Sequence, residues 1–343
     1  MKAAVMNEQG VLAVQDVPDP NAGPGQVVIK IGYCGICGSD VHYLQTGYLR
    51  PGAILGHEFV GRVVEVGEGV DNLAVGDRVM PGGRFVPCGR CAACQQGRYD
   101  LCLLKGNLLL LKDRSVYGAM PGAFAEYRAA FAQAVRRVPE GVTDHAAAVA
   151  EPLAVACLAV RHSKLMLGDA AVILGAGPIG LLVLQVLRVS GALPVYVAEI
   201  SARRAAMAER FAADRVFNPT TCDLPAEVMQ LTGVGADVVF ECAGGPTTLQ
   251  LAVETIREHG RIVLAAVRME NTTILPVDWI LKHAEVKAFI GGHFPSAVAL
   301  LAEHKVDVEP LITDVIGLGD IQSMFQYLSK PNDQIKVLVK PDA

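Results

Sequence analysis

Residues 171–199 read AVILGAGPIGLLVLQVLRVSGALPVYVAE. A short aliphatic run ends in Gly175-Ala176-Gly177-Pro178-Ile179-Gly180, apolar residues then continue at helical spacing, and Gly191 breaks the pattern. Strand, tight glycine turn and helix follow in that order. A second β-branched run, Val195 to Ile200, carries an acid, Glu199, 19 residues after Gly180. A lone G-x-G-x-x-G is weak, because glycines punctuate loops everywhere. Between a strand and a helix, with an acid at this remove, it has the context of a dinucleotide fingerprint. The glycines let the backbone approach a pyrophosphate, and the first helical N–H groups, with the positive end of the helix dipole, receive its charge. Gly175, Gly177, Pro178, Ile179, Gly180 and Glu199 are therefore the expected cofactor-binding residues, with Arg204 added as a residue that could stack on adenine or else lie on a solvated helix face.

Downstream the alternation is regular. Helical SARRAAMAERFAA leads to DRVFNP, AEVMQLTG to ADVVFECAG, TTLQLAVETIREHG to RIVLAAV, and DWILKH to EVKAFIGG. Counting from Val172, six strands alternate with helical or looped crossovers, which argues a doubly wound parallel sheet over residues 153–289. Upstream, runs such as Met1 to Met6, Val11 to Val14 and Gln26 to Ile31 are separated by turn residues, and glycine-punctuated valine runs follow Glu58. These predict a β-rich domain over residues 1–152. A helix is expected from Asp144 to Val160, carrying Glu151-Pro152 in an otherwise aliphatic stretch. The tail, 290–343, exceeds what the parallel sheet needs and is expected to return to the first domain.

The chain of 343 residues is comfortable for two domains. A hydrophobic share of 52%, a charged share of 19% and a net charge of −5 describe a well-packed globular enzyme and speak against disorder and nucleic-acid binding. No apolar run approaches the roughly 18 residues of a membrane helix, and MKAAVMNEQG lacks the marks of a signal peptide, so a cytoplasmic location is expected. Nine cysteines are present. Four of them, Cys88, Cys91, Cys94 and Cys102, fall within PCGRCAACQQGRYDLC at C-x2-C-x2-C-x7-C spacing. Four thiolates so placed can surround a zinc ion tetrahedrally in a closed, structural site that folds a lobe at about 87–103. An iron–sulfur cluster uses similar spacings and stays open. Leu108 to Leu111 suit a core strand edge, with a cleft lip or an oligomer contact as alternatives.

Ile36-Cys37-Gly38-Ser39-Asp40-Val41-His42, Gly56-His57-Glu58-x-x-Gly61-x-Val63, the four-cysteine lobe, Glu151-Pro152-Leu153 and GAGPIG occur in that order along nearly the whole chain. The set resembles the zinc-dependent medium-chain dehydrogenase/reductase family, and AEPLAV, FECAG and VEPLITD look most like its butanediol and polyol (sorbitol, L-idonate) branch. The resemblance implies a GroES-like catalytic domain beside the Rossmann domain. It implies one catalytic and one structural zinc per chain, a nicotinamide cofactor, and a homodimer or homotetramer. His259-Gly260-Arg261 departs from the frequent Gly-Gly-Arg of the family.

On that resemblance, Cys37, His57 and Glu151 hold the catalytic zinc, with Glu58 as a fourth ligand, direct or through water. Glu58 could instead only neutralise local charge. Ser39 would touch the reacting oxygen and hand its proton to His42 and on to solvent. Asp40 would hold the imidazole of His57. Each has a blander reading: Cys34 and Cys37 as a redox pair, His42 as a surface histidine, Tyr43 as a packing residue. Such a zinc lowers the pKa of a bound hydroxyl toward about 7, as hydride removal from an alcohol requires. NAD is expected over NADP, because Glu199 accepts ribose hydroxyls and repels a 2′-phosphate, although Arg203 and Arg204 could hold one. The expected reaction oxidises a secondary hydroxyl of a small polyol, sugar acid or diol to a ketone. The alternatives are a threonine-type amino-alcohol dehydrogenase and a zinc-free NADPH reductase or binding protein on the same scaffold.

Overall fold

A computed structural model describes residues 1–46, 51–83, 91–96, 122–268 and 270–343. It divides into two compact units: 1–151 with 312–343, and 152–311.

In the first unit, β1 (Lys2–Met6) and β2 (Leu12–Asp16) form an antiparallel hairpin. β3 (Gln26–Gly35), β4 (Glu58–Val66), β5 (Arg78–Pro81), β6 (Tyr127–Phe131) and β7 (Val135–Arg137) pair antiparallel, with β3 joined to both β4 and β6. Two register shifts interrupt the β3–β4 ladder. Bulges of this kind bend a sheet. Ile29, Ile31, Phe59 and Phe124 fill the interior, where Phe124 meets Phe325 edge to face with ring centroids 6.0 Å apart. Truncating either ring would cost about 3–5 kcal/mol.

The second unit holds β8 (Ala171–Leu174), β9 (Val195–Ala198), β10 (Arg215–Phe217), β11 (Ala236–Glu241), β12 (Ile256–Leu264) and β13 (Glu285–Ala288). All are parallel, in the order β10-β9-β8-β11-β12-β13. This is the doubly wound order of a dinucleotide-binding sheet. Ala171–Leu174 is buried on both faces, which is why it reads as an unbroken apolar run and not as an alternation. Val172 and Leu174 pack with Tyr196, Phe217 and Val239 on one side. The chain then returns to the first unit through β14 (Ile312–Gly317) and β15 (Lys336–Lys340), and β15 inserts between β14 and β3.

Three local features differ from the sequence expectation. The helix expected from Asp144 to Val160 is two helices, Asp144–Ala148 and Ala150–His162. Pro152 supplies no N–H to the carbonyl of residue 148 and its ring crowds that carbonyl, so the first helix stops there. The helix starting at Thr248 ends at Thr255, and β12 begins at once with Ile256, a β-branched residue. The segment from 290 to 311 packs within the nucleotide-binding unit: the His293 amide donates to Ala154 O (2.8 Å), and Gln185 bonds Asp307 through both the amide and the carbonyl (2.7 and 3.0 Å). The return therefore begins at Ile312, not at 290.

Candidate active site

The helix Gly38–Gln45 follows β3 directly, and its first turn carries the centre of the site. Asp40 is the hub. It is 2% exposed, its Oδ2 accepts the Cys37 amide at 3.1 Å, and its Oδ1 lies 3.4 Å from His57 Nδ1. A carboxylate in the first turn of a helix suits the positive end of the helix dipole. With Nδ1 directed at Asp40, His57 has Nε2 left for a ligand. Burial opposes a charge on His57, but the Asp40 carboxylate and the Cys37 sulfur together outweigh it and hold the imidazole pKa well above its ordinary value. Gly56, at φ +94°, sets up the turn into His57; a Cβ there would strike Cys34 Sγ and Phe124.

Cys37 Sγ, a His57 ring nitrogen and a Glu58 carboxylate oxygen lie within 4.8 Å of one another. Sulfur, nitrogen and oxygen donors converging at the end of one strand and the start of one helix suit a zinc ion. Ser39 donates its hydroxyl to Cys37 Sγ at 3.2 Å, which places the hydroxyl beside the sulfur. The structure does not bring Glu151 into the three-residue group. It is buried in the first turn of the helix Ala150–His162, near enough for its charge to act on Lys336.

Lys336, on β15, is the residue that sequence reasoning missed. Its ammonium lies 2.6 Å from Glu58 Oε2, donates to Ile36 O at 3.0 Å, and is 2% exposed against 1% for Glu58. Burial would lower its pKa, but Glu58 beside it and Glu151 nearby raise it. A lysine opening the apolar run IKVLVK was the available signal.

Of the remaining expected residues, His42 is half-buried in the same helix as Ser39, with no hydrogen bond between them. Tyr43 is in the core. Cys34 is fully buried, and burial pushes its thiol pKa well up, which does not suit a redox pair with Cys37. Cys91 directly precedes the short helix Ala92–Gln95 and Cys94 lies within it, whereas Cys88, Cys102 and the run at 108–111 lie outside the described residues.

In the second unit, the glycine turn sits at the C-terminal end of β8, the side of such sheets where nucleotides bind. Gly177 precedes the helix Pro178–Val189, with Pro178 at its first position. A Cβ on Gly180 would overlap the carbonyl oxygen of Gly175. Glu199, 7% exposed, accepts the Ala176 amide at 2.6 Å and the amides of Ile200 and Ser201 at 2.9 and 2.8 Å. The acid thus ties the end of β9 to the glycine turn. Arg204 follows in the first turn of the helix Ala202–Arg210, capped by Ser201.

A nucleotide-binding sheet and a thiolate–imidazole–carboxylate group on a β-rich unit define a metal-dependent dehydrogenase. Residues 23–140 match the alcohol dehydrogenase GroES-like domain, and residues 178–303 match the zinc-binding dehydrogenase domain. Over 358 aligned residues the chain is 37% identical to (R,R)-butanediol dehydrogenase of Bacillus subtilis, covering 100% of both. It is 33% identical to sorbitol dehydrogenase of the same organism, covering 100% of this chain and 98% of that one. A proposed zinc-binding dehydrogenase from Sinorhizobium meliloti 1021, solved with NADP, superposes with a TM-score of 0.87 at 30% identity over 99% of both chains. The chain belongs to the zinc-dependent medium-chain dehydrogenase/reductase family, in its butanediol and polyol branch, and is an alcohol or polyol dehydrogenase.

Proposed function

We propose that this enzyme reversibly oxidises a secondary hydroxyl of a small polyol, sugar acid or diol to a ketone, with NAD as hydride acceptor and zinc at the Cys37–His57 centre. The observation that carries the reading is the Cys37/His57/Glu58 group with Asp40 behind the imidazole. Zinc, when bound, supplies a Lewis acid that brings the pKa of a hydroxyl toward about 7. The chain's own residues do the rest. Asp40 fixes the His57 ring, and Glu151 is the third ligand in this reading. Ser39, beside the Cys37 sulfur, takes the substrate proton and passes it toward His42. Glu58 balances the centre's charge with one oxygen committed to Lys336.

The preference for NAD rests on Glu199. Three amides occupy part of its acceptor capacity, and the remainder is free for ribose hydroxyls, while its charge opposes a 2′-phosphate. A second, structural zinc on Cys88, Cys91, Cys94 and Cys102 completes the metal complement. The free thiols suit a reducing compartment, in keeping with a cytoplasmic enzyme. A homodimer or homotetramer is supported by the open edge of β13 and by the exposed apolar side chains around it, among them Ile280, Leu281 and Val286.

The test is reduction of NAD and, separately, NADP with polyols, sugar acids, the stereoisomers of 2,3-butanediol and L-threonine, with metal content assayed on the same preparation. Turnover of one diol or polyol class with NAD, lost in Glu151→Ala, is the expected result. Turnover with L-threonine alone would move the substrate to amino alcohols. Zinc confined to the cysteine lobe, with no turnover by either cofactor, would sink the catalytic assignment.

A further inference from the structure

A second group of metal-capable side chains lies in the nucleotide-binding unit. Glu258, His259 and His283 each present one ligand atom, all within 4.8 Å of one another. Glu258 Oε1 is 3.8 Å from His259 Nε2 and 3.8 Å from His283 Nε2, so a single carboxylate oxygen faces both imidazoles. The two rings stack with centroids 4.6 Å apart and planes 13° apart. From these residues we propose a surface site for a borderline divalent transition ion of the zinc class, separate from the catalytic and four-cysteine centres.

The backbone sets the group up. β12 and β13 are parallel neighbours with Arg261 opposite Glu285, which places 259 and 283 side by side, two residues before that pair. The His259 amide donates to Lys282 O at 2.7 Å, and the Lys282 ammonium returns to Glu254 O at 2.7 Å and to Ile256 O. The two turns that carry the histidines are thereby laced together. His259 and His283 also occupy left-handed backbone, at φ 55° and 49°. Glycine fits that conformation without the Cβ penalty that each histidine carries there.

The donor set decides the ion. Two imidazoles and one carboxylate suit zinc, nickel or copper and discriminate against calcium and magnesium, which take oxygen ligands. Metal–ligand bonds of about 2.0–2.1 Å at a tetrahedral angle put donors roughly 3.3–3.4 Å apart. The observed 3.8 Å from the carboxylate to each imidazole needs a shift of a few tenths of an ångström, and the stacked rings must rotate for both nitrogen lone pairs to meet one ion, movements that exposed side chains make freely. Three protein donors leave further positions to water, so the site exchanges its ion readily. It lies at the start of β12 and just before β13, at the opposite end of the sheet from the glycine turn, clear of the cofactor-binding edge.

Equilibrium dialysis of the zinc-loaded enzyme against added Zn²⁺, followed by metal analysis, tests this. The wild type is expected to take up one zinc per chain beyond its resident metal. His259→Gly and His283→Gly are each expected to lose it while keeping resident zinc and turnover, because glycine accepts the left-handed backbone and the fold is undisturbed. Glu258→Gln, which retains both imidazoles, is expected to bind the extra ion more weakly. No extra uptake by the wild type, or uptake unchanged in both histidine variants, would overturn the proposal.

Discussion

The two metal-capable groups have nearly the same donors and opposite surroundings. At the Cys37/His57/Glu58 centre every donor is backed by a buried partner: Asp40 behind His57, Ser39 on Cys37, Lys336 on Glu58. At Glu258/His259/His283 the side chains are exposed, with backbone bonds and the Lys282 ammonium shaping the segments that carry them but none of the donors backed by a buried side chain. Donor chemistry alone makes a site that can take an ion; the ring of partners makes one that holds geometry and charge through a reaction. That difference should be measurable in four ways.

The largest effect is expected at Lys336. Lys336→Met leaves Glu58 and Glu151 as buried charges without their counter-ion and should cost about 3–5 kcal/mol in urea unfolding. Adding Glu58→Gln should restore most of that loss. A cost near zero for the single change would mean that the pair contributes nothing to the built centre.

Next in size is Asp40→Ala, which removes the orienting partner of His57 and should weaken zinc binding about 10–100-fold in competition with a chelator. Among the described residues no side chain backs a donor in this way at the Glu258 group; Lys282 bonds only the backbone that carries it, so Lys282→Ala should weaken zinc uptake there less than Asp40→Ala weakens it at the buried centre.

The third effect is a pH dependence confined to the buried centre. In the metal-free chain, His57 has a folded pKa raised above 6.5 by Asp40, so its contribution to stability is full below about pH 6.5 and is lost as pH rises through the folded value. Thermal unfolding of chelator-stripped protein should show wild type losing its advantage over Asp40→Asn across that window. Equal slopes for the two proteins would contradict the ion pair.

The smallest change is a gain. His283→Gly relieves a left-handed residue and should stabilise the fold by about 0.5–1 kcal/mol in calorimetry.

What the sequence made legible was local. GAGPIG with Glu199, and Cys37 through His42 with Gly56 through Glu58, are short stretches whose spacing is itself the geometry, so strand, turn and donors could be placed without knowing the fold. Lys336 could not, because it reaches Glu58 across 278 residues and nothing near either one announces the other. The helix break before Pro152 was legible in principle, since a proline forbids the bond that would bridge it, but the apolar pattern on both sides concealed it. The boundary at 312 depended on the bonds from Gln185 to Asp307 and from His293 to Ala154, tertiary pairings that periodicity does not encode.

The late position of β15 has a consequence for how the protein is made. Every strand of the nucleotide-binding sheet precedes β14 and β15 in the chain, so that unit can close before they are made. The first unit cannot. β3 lacks its neighbour, and Glu58 its counter-charge, until β15 has been made. The order of the chain therefore completes the second unit's strands first, and the Cys37/His57/Glu58 group gains its counter-charge only once β15 is available. A chain cut short before Lys336 would leave a folded nucleotide-binding unit attached to an open sheet edge, a product suited to recognition by chaperones and proteases.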